Sequence, residues 1–73
     1  MSVFDLKAGH SARIVKINLE GGAAARLTSL GITTGKRVTA LAFSLFKSSI
    51  LIGCGAVRLG IRKSLARQIE VAE

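Results

Sequence analysis

The sequence has 73 residues, 49% of them hydrophobic, and its 11 basic residues outnumber 4 acidic ones to give a net charge of +7. A chain of this size buries only about 60% of its unfolded surface, so its core is small and a deep cleft with a supporting shell does not fit; an enzyme of ordinary architecture is disfavoured. The cations stand singly or in pairs (Lys36-Arg37, Arg62-Lys63), which excludes a disordered basic tail and points the excess charge towards nucleic acid, an anionic membrane surface or an acidic protein.

The stretch Val3 to Gly9 is an opening segment, with Phe4 and Leu6 apolar and a turn at Lys7-Ala8-Gly9-His10. It carries Asp5 and Lys7 and lacks the apolar run of a signal peptide. Cys54 is the one cysteine and has no intrachain partner, so the expected compartment is the cytosol. Arg13 to Leu19 is the first predicted strand. Ile14 and Ile17 break strict alternation, which predicts a bulge between them.

Ala23 to Leu30 predicts a short helix, because alanine is the best helix former; two turns need a sheet to pack on. Ala23, Leu27 and Leu30 share one face, and Arg26 points away. Gly31 follows Leu30, where a helix ends in a left-handed residue. Ile32 then returns to the core, and Gly35 closes the turn into the next strand.

Lys36 to Phe43 is the second strand, with Val38, Ala40 and Ala42 on one face and Thr39, Leu41 and Phe43 on the other. Ser44 to Ser49 is a loop. Ile50 to Ile52 is the third strand, Gly53-Cys54-Gly55 a turn, and Ala56 to Arg62 the fourth strand, with Val57, Leu59 and Ile61 inward. Ser64 is placed to cap one helical turn over Leu65-Ala66-Arg67. Gln68 to Val71 is the last strand.

Five short strands and one short helix between the first and second strands predict a mainly β fold, a small bent barrel forming a single domain over residues 1–73. Val38 to Ile61 is apolar, but Lys47 and Arg58 interrupt it. Its uncharged piece, Ser48 to Val57, is too short for the roughly 20 residues of a membrane span.

The ordered set Leu6, Gly9, Ile14, Ile17, Leu27, Leu30-Gly31-Ile32, Gly35, Val38, Leu59-Gly60-Ile61-Arg62, Ala66, Ile69 and Val71 resembles the FeoA family, small cytosolic partners of the bacterial ferrous iron transporter. The resemblance implies an SH3-like barrel and a non-enzymatic accessory role: binding the cytosolic part of a GTP-binding membrane transporter, and so lying at the inner membrane through that partner. No cofactor is implied. Two departures stand out. The segment Phe43 to Ser48 has neither proline nor glycine where family members often carry a Pro-Leu-Gly turn. Thr34 stands where a proline often precedes Gly35.

The residues themselves offer little chemistry. Asp5, His10, Glu20, Cys54, Glu70 and Glu73 include no pair at tight metal-ligand spacing, so no metal site is predicted within one chain. Cys54 with His10 lacks a third group to orient a base, and Gly21-Gly22 is not a phosphate-binding loop. Nucleic acid remains an alternative on charge but is disfavoured by the absence of Trp and Tyr. A dimerising domain, like the C-terminal module of metal-dependent repressors, is another. Leu41, Phe43, Leu45 and Phe46 exceed what a five-stranded barrel needs inward. Leu45 and Phe46 either plug its open end or form an interaction patch. The expected partner-binding residues are Leu30, Gly31 and Ile32 at the helix corner and Phe43, Leu45, Phe46 and Lys47 in the loop.

Overall fold

A computed structural model describes all 73 residues. Alternating apolar side chains form five strands: β1 (Ser11–Ile17), β2 (Arg37–Phe43), β3 (Ser49–Cys54), β4 (Val57–Arg62) and β5 (Ile69–Ala72). Helix α1 (Gly21–Ser29) joins β1 to β2, and a single turn, α2 (Lys63–Ala66), joins β4 to β5. All five strands pair antiparallel in one sheet, in the order β4-β3-β2-β1-β5. One cluster of 15 buried residues draws on every strand, so the sheet coils around it. The expected mainly β architecture, with its short helix between the first two strands, is present.

The bulge expected in β1 lies between Ile14 and Lys16. It turns Val15 and Lys16 outward and brings Ile17 back opposite Ile69, so Ile14 and Ile17 both serve the core. A second bulge lies between Ala40 and Ala42, where the sequence alternates without a break. It shifts the alternation by one residue, as a bulge must. Val38 and Ala40 are fully buried, but Ala42 is exposed and Phe43 moves to the core side opposite Ile50. The expectation that Ala42 continues the inner face is therefore corrected.

Leu41 stays on the outer face and lies over Gly53. A Cβ there would come within 3.1 Å of Leu41 Cδ1, so Gly53 is the groove that accepts this side chain. The predicted Gly53-Cys54-Gly55 turn is also corrected. Gly53 and Cys54 pair with Arg58 and Val57 in the β3–β4 ladder, and the chain reverses at Gly55-Ala56. Ser64 sits inside α2 and caps nothing; Arg62 occupies the capping position.

The opening segment forms a 3-10 turn at Val3–Asp5 that seals one side of the core with Val3 and Leu6. The Ser2 amide and hydroxyl both donate to the Asp5 carboxylate, at 2.8 and 3.2 Å. Hydrogen bonding from the Ser2 amide is the main cause holding the Asp5 carboxyl below its ordinary range. Desolvation is the next largest effect and opposes this, while the Ser2 hydroxyl, the amino terminus and Arg67 each add a smaller lowering.

Candidate interaction surfaces

The helix corner is built by backbone hydrogen bonds. The Gly31 amide donates to the Thr28 carbonyl at 3.0 Å, and the Ile32 amide donates to the Leu27 carbonyl at 2.9 Å. This is the paired pattern of a Schellman motif, which needs a left-handed residue at its pivot; Gly31 supplies it at φ 81°. The motif folds Ile32 back over Leu27, and both are buried. Ile32 is 1% exposed, so the expectation that it reaches a partner is corrected: it supports the corner from behind. Leu30 is half-buried against the core and Gly31 is exposed, and these two form the accessible part. Cys54, at the end of β3, places its thiol 4.0 Å from the Gly31 carbonyl.

The loop between β2 and β3 is pinned at its neck. The Ser44 hydroxyl accepts from the amides of Ser48 and Ser49 at 3.1 and 2.9 Å, and the Ser44 amide donates to the Ser49 carbonyl at 3.0 Å. Within this closed loop Leu45–Lys47 form a short 3-10 turn whose Phe46 and Lys47 have φ values of 67° and 54°. Leu45 is 80% exposed and Phe46 91%, so neither plugs the barrel. Phe43 instead turns inward and meets Phe4 edge-on, with ring centroids 5.4 Å apart. The ammonium groups of Lys47 and Lys63 stand 5.0 Å from the Phe43 ring and 5.7 Å from the Phe4 ring, flanking the pair.

The corner and the loop adjoin opposite ends of β3. Its six residues set them about 17 Å apart at the usual strand rise. The corner and loop residues expected to bind a partner thus lie in two separate patches.

An apolar groove of about 440 Å³ runs between α1 and the β4–α2 segment, lined in part by Leu19, Leu27, Leu59, Leu65 and Ile69, with Arg26 and Arg62 beside it. Sequence reasoning missed it. Its signal was present in Leu19, Leu59 and Leu65, three leucines left half-buried at the core's margin.

The candidate metal ligands are scattered. His10, Glu20 and Glu73 are exposed, Cys54 is buried beside Gly31, Asp5 is held by Ser2, and Glu70 accepts from the Asn18 amide group. No three His, Cys, Asp or Glu residues converge. Cys54 and His10 are not brought together as nucleophile and base: one is enclosed at the end of β3, the other stands on the turn before β1. No helix is long and apolar enough to cross a membrane.

Compared with known proteins, the chain matches the family model of the FeoA domain over residues 1–73. The solution structure of a FeoA protein from Chlorobium tepidum superposes with a TM-score of 0.91 at 30% identity, covering 97% of this chain and 68% of that one. The zinc complex of FeoA from Stenotrophomonas maltophilia superposes at 0.83 with 26% identity, covering 99% and 89% of the two chains. That protein is described as a procaryotic SH3 domain protein and proposed as a bacterial ferrous iron transport activating factor. A manganese-dependent transcriptional repressor shares the fold, with a TM-score of 0.85 at 18% identity over 97% of this chain and 40% of that one. No curated protein matches the sequence.

Proposed function

The chain belongs to the FeoA family, and on that premise we propose that it is a non-enzymatic accessory protein of bacterial ferrous iron uptake, docking on the cytosolic part of the GTP-binding membrane iron transporter. The observation that carries this reading is where the accessible chemistry lies. Titratable groups are dispersed, while Leu45 and Phe46 stand in solvent at one end of β3 and the half-buried Leu30 lies at the other. Such a molecule works by contact, and a contact module suits a family whose relative is proposed as a transport activating factor. It has the SH3-like architecture of that relative in a single domain.

We assign the transporter-docking surface to Leu30 and Gly31 at the corner, with Ile32 fixing their position; Leu45, Phe46 and Lys47, carried on the inward-turned Phe43, form a second accessible patch at the loop. The excess positive charge adds speed more than affinity, since long-range attraction steers encounter with acidic surfaces. The chain then works at the cytoplasmic face of the membrane without crossing it.

The test is titration onto the transporter's isolated cytosolic region in lipid-free solution. The unaltered chain binds, and Leu30→Ala weakens binding by about tenfold, in the range expected when a central contact residue is truncated. A thermal melt checks that the variant is folded. No binding by the unaltered chain overturns the function; equal binding by folded Leu30→Ala overturns the corner.

A further inference from the structure

The loop end of β3 carries more than contact with a folded partner requires. We propose that the Leu45-Phe46 tip and the cations behind it are a membrane-docking site, the two apolar side chains entering the interface of an anionic phospholipid bilayer. This deepens the reading above by naming what the loop end touches, and rests on it only for placing the chain at a membrane.

Three observations lead there. The first is presentation. Leu45 and Phe46 are adjacent, 80% and 91% exposed, and held out by a loop whose neck is closed by Ser44. Phe46 and Lys47 both occupy the left-handed region, which is unfavourable for residues with a Cβ. Strain of this kind gathers where a fold serves a function.

The second is charge. Ser49 lies opposite Arg62 in the β3–β4 ladder, and the Lys63 amide donates to the Ser48 carbonyl at 3.0 Å, so the start of α2 is tied to the base of the loop. Beside it a depression without apolar lining is formed by Ser48, Ser49, Arg62, Lys63, Ser64 and Arg67. Guanidinium, ammonium and hydroxyl donors together match the phosphate oxygens of lipid headgroups. Arg67 also borders Asp5 and Glu70 on its other side, which leaves Lys47, Arg62 and Lys63 as the cations without a carboxylate beside them, the two lysines resting over the Phe43 and Phe4 rings. No acidic residue occurs between Glu20 and Glu70 to oppose them.

The third is shape. An apolar tip above a basic rim is what interfacial insertion needs, because the tip gains from burial while the cations stay at headgroup level. Single-stranded nucleic acid would need stacking platforms, but Phe4 and Phe43 are packed edge-on against each other, leaving Phe46 alone.

The chain has no tryptophan, so Phe46→Trp places a single fluorescent reporter at the tip. With vesicles of phosphatidylcholine containing about a third phosphatidylglycerol at low salt, its emission shifts to the blue and the unaltered chain co-sediments. Lys47→Gln, Arg62→Gln and Lys63→Gln each weaken co-sedimentation by about fivefold. Leu45→Ser weakens it by about tenfold. Vesicles of phosphatidylcholine alone give neither signal. Unmoved emission with anionic vesicles overturns the proposal. So does an equal shift with a single-stranded oligonucleotide, or a shift given only by the transporter's cytosolic region without lipid. Vesicle binding that persists when that region is not bound at all upholds this site and overturns the transporter reading instead.

Discussion

Phe46 concentrates the tension between folding and function in one residue. Its φ of 67° costs about 1–2 kcal/mol for a side chain with a Cβ, and its ring, 91% exposed, recovers almost none of that by burial. Glycine adopts the same backbone without the clash, at the expense of a more flexible unfolded chain. Phe46→Gly therefore raises stability by up to about 1 kcal/mol. The measurement is a higher urea midpoint at unchanged slope, alongside lost vesicle binding; a lower midpoint would mean that the ring supports the fold. Nothing in Leu45-Phe46-Lys47 announces this geometry, because left-handed backbone is normally marked by glycine or asparagine. The sequence did show too many large apolar side chains around Phe43. It could not say which two would be left outside.

At the scale of elements, the helix stop is the most legible feature. Leu27, Leu30, Gly31 and Ile32 stand in the order a Schellman motif demands, and the motif forms on those residues. Open space surrounds a Cβ built on Gly31, so the whole effect of Gly31→Ala is conformational. It lowers stability by about 1–2 kcal/mol, readable by chemical denaturation as a lower midpoint. An unchanged midpoint would show the corner to be slack. The strands are legible to within a few residues for a similar reason: alternation is local. The β1 bulge was legible too, because Ile14 and Ile17 have odd spacing. The β2 bulge was not. Val38, Ala40 and Ala42 alternate as an unbroken face, and only pairing with β3 shifts the register so that Phe43 turns in and Ala42 out.

For the whole molecule, the dominant quantity is charge. Eleven basic residues against four acidic ones crowd a body of 28 × 23 × 22 Å, and self-repulsion opposes the compact state. Salt screens that repulsion over about a Debye length, roughly 10 Å at 0.1 M. Raising sodium chloride from low to moderate concentration is therefore expected to raise the melting temperature by a few degrees while weakening vesicle binding. Salt-insensitive melting would mean that the cations are already compensated in the fold.

The family resemblance read from the ordered set of residues agrees with the match across the chain and with the superposed relatives. By itself the sequence determined the β-rich class, the helix and its glycine stop, and the family, since these rest on local periodicity and on glycine at fixed positions. Only the tertiary structure decided that Ile32 is support and not surface, that Cys54 is sealed in β3, that Leu45 and Phe46 stand in solvent, and that corner and loop lie at opposite ends of one strand. Those outcomes depend on how much side-chain volume a coiled sheet can enclose and on how its strands pair, and no single segment carries either quantity.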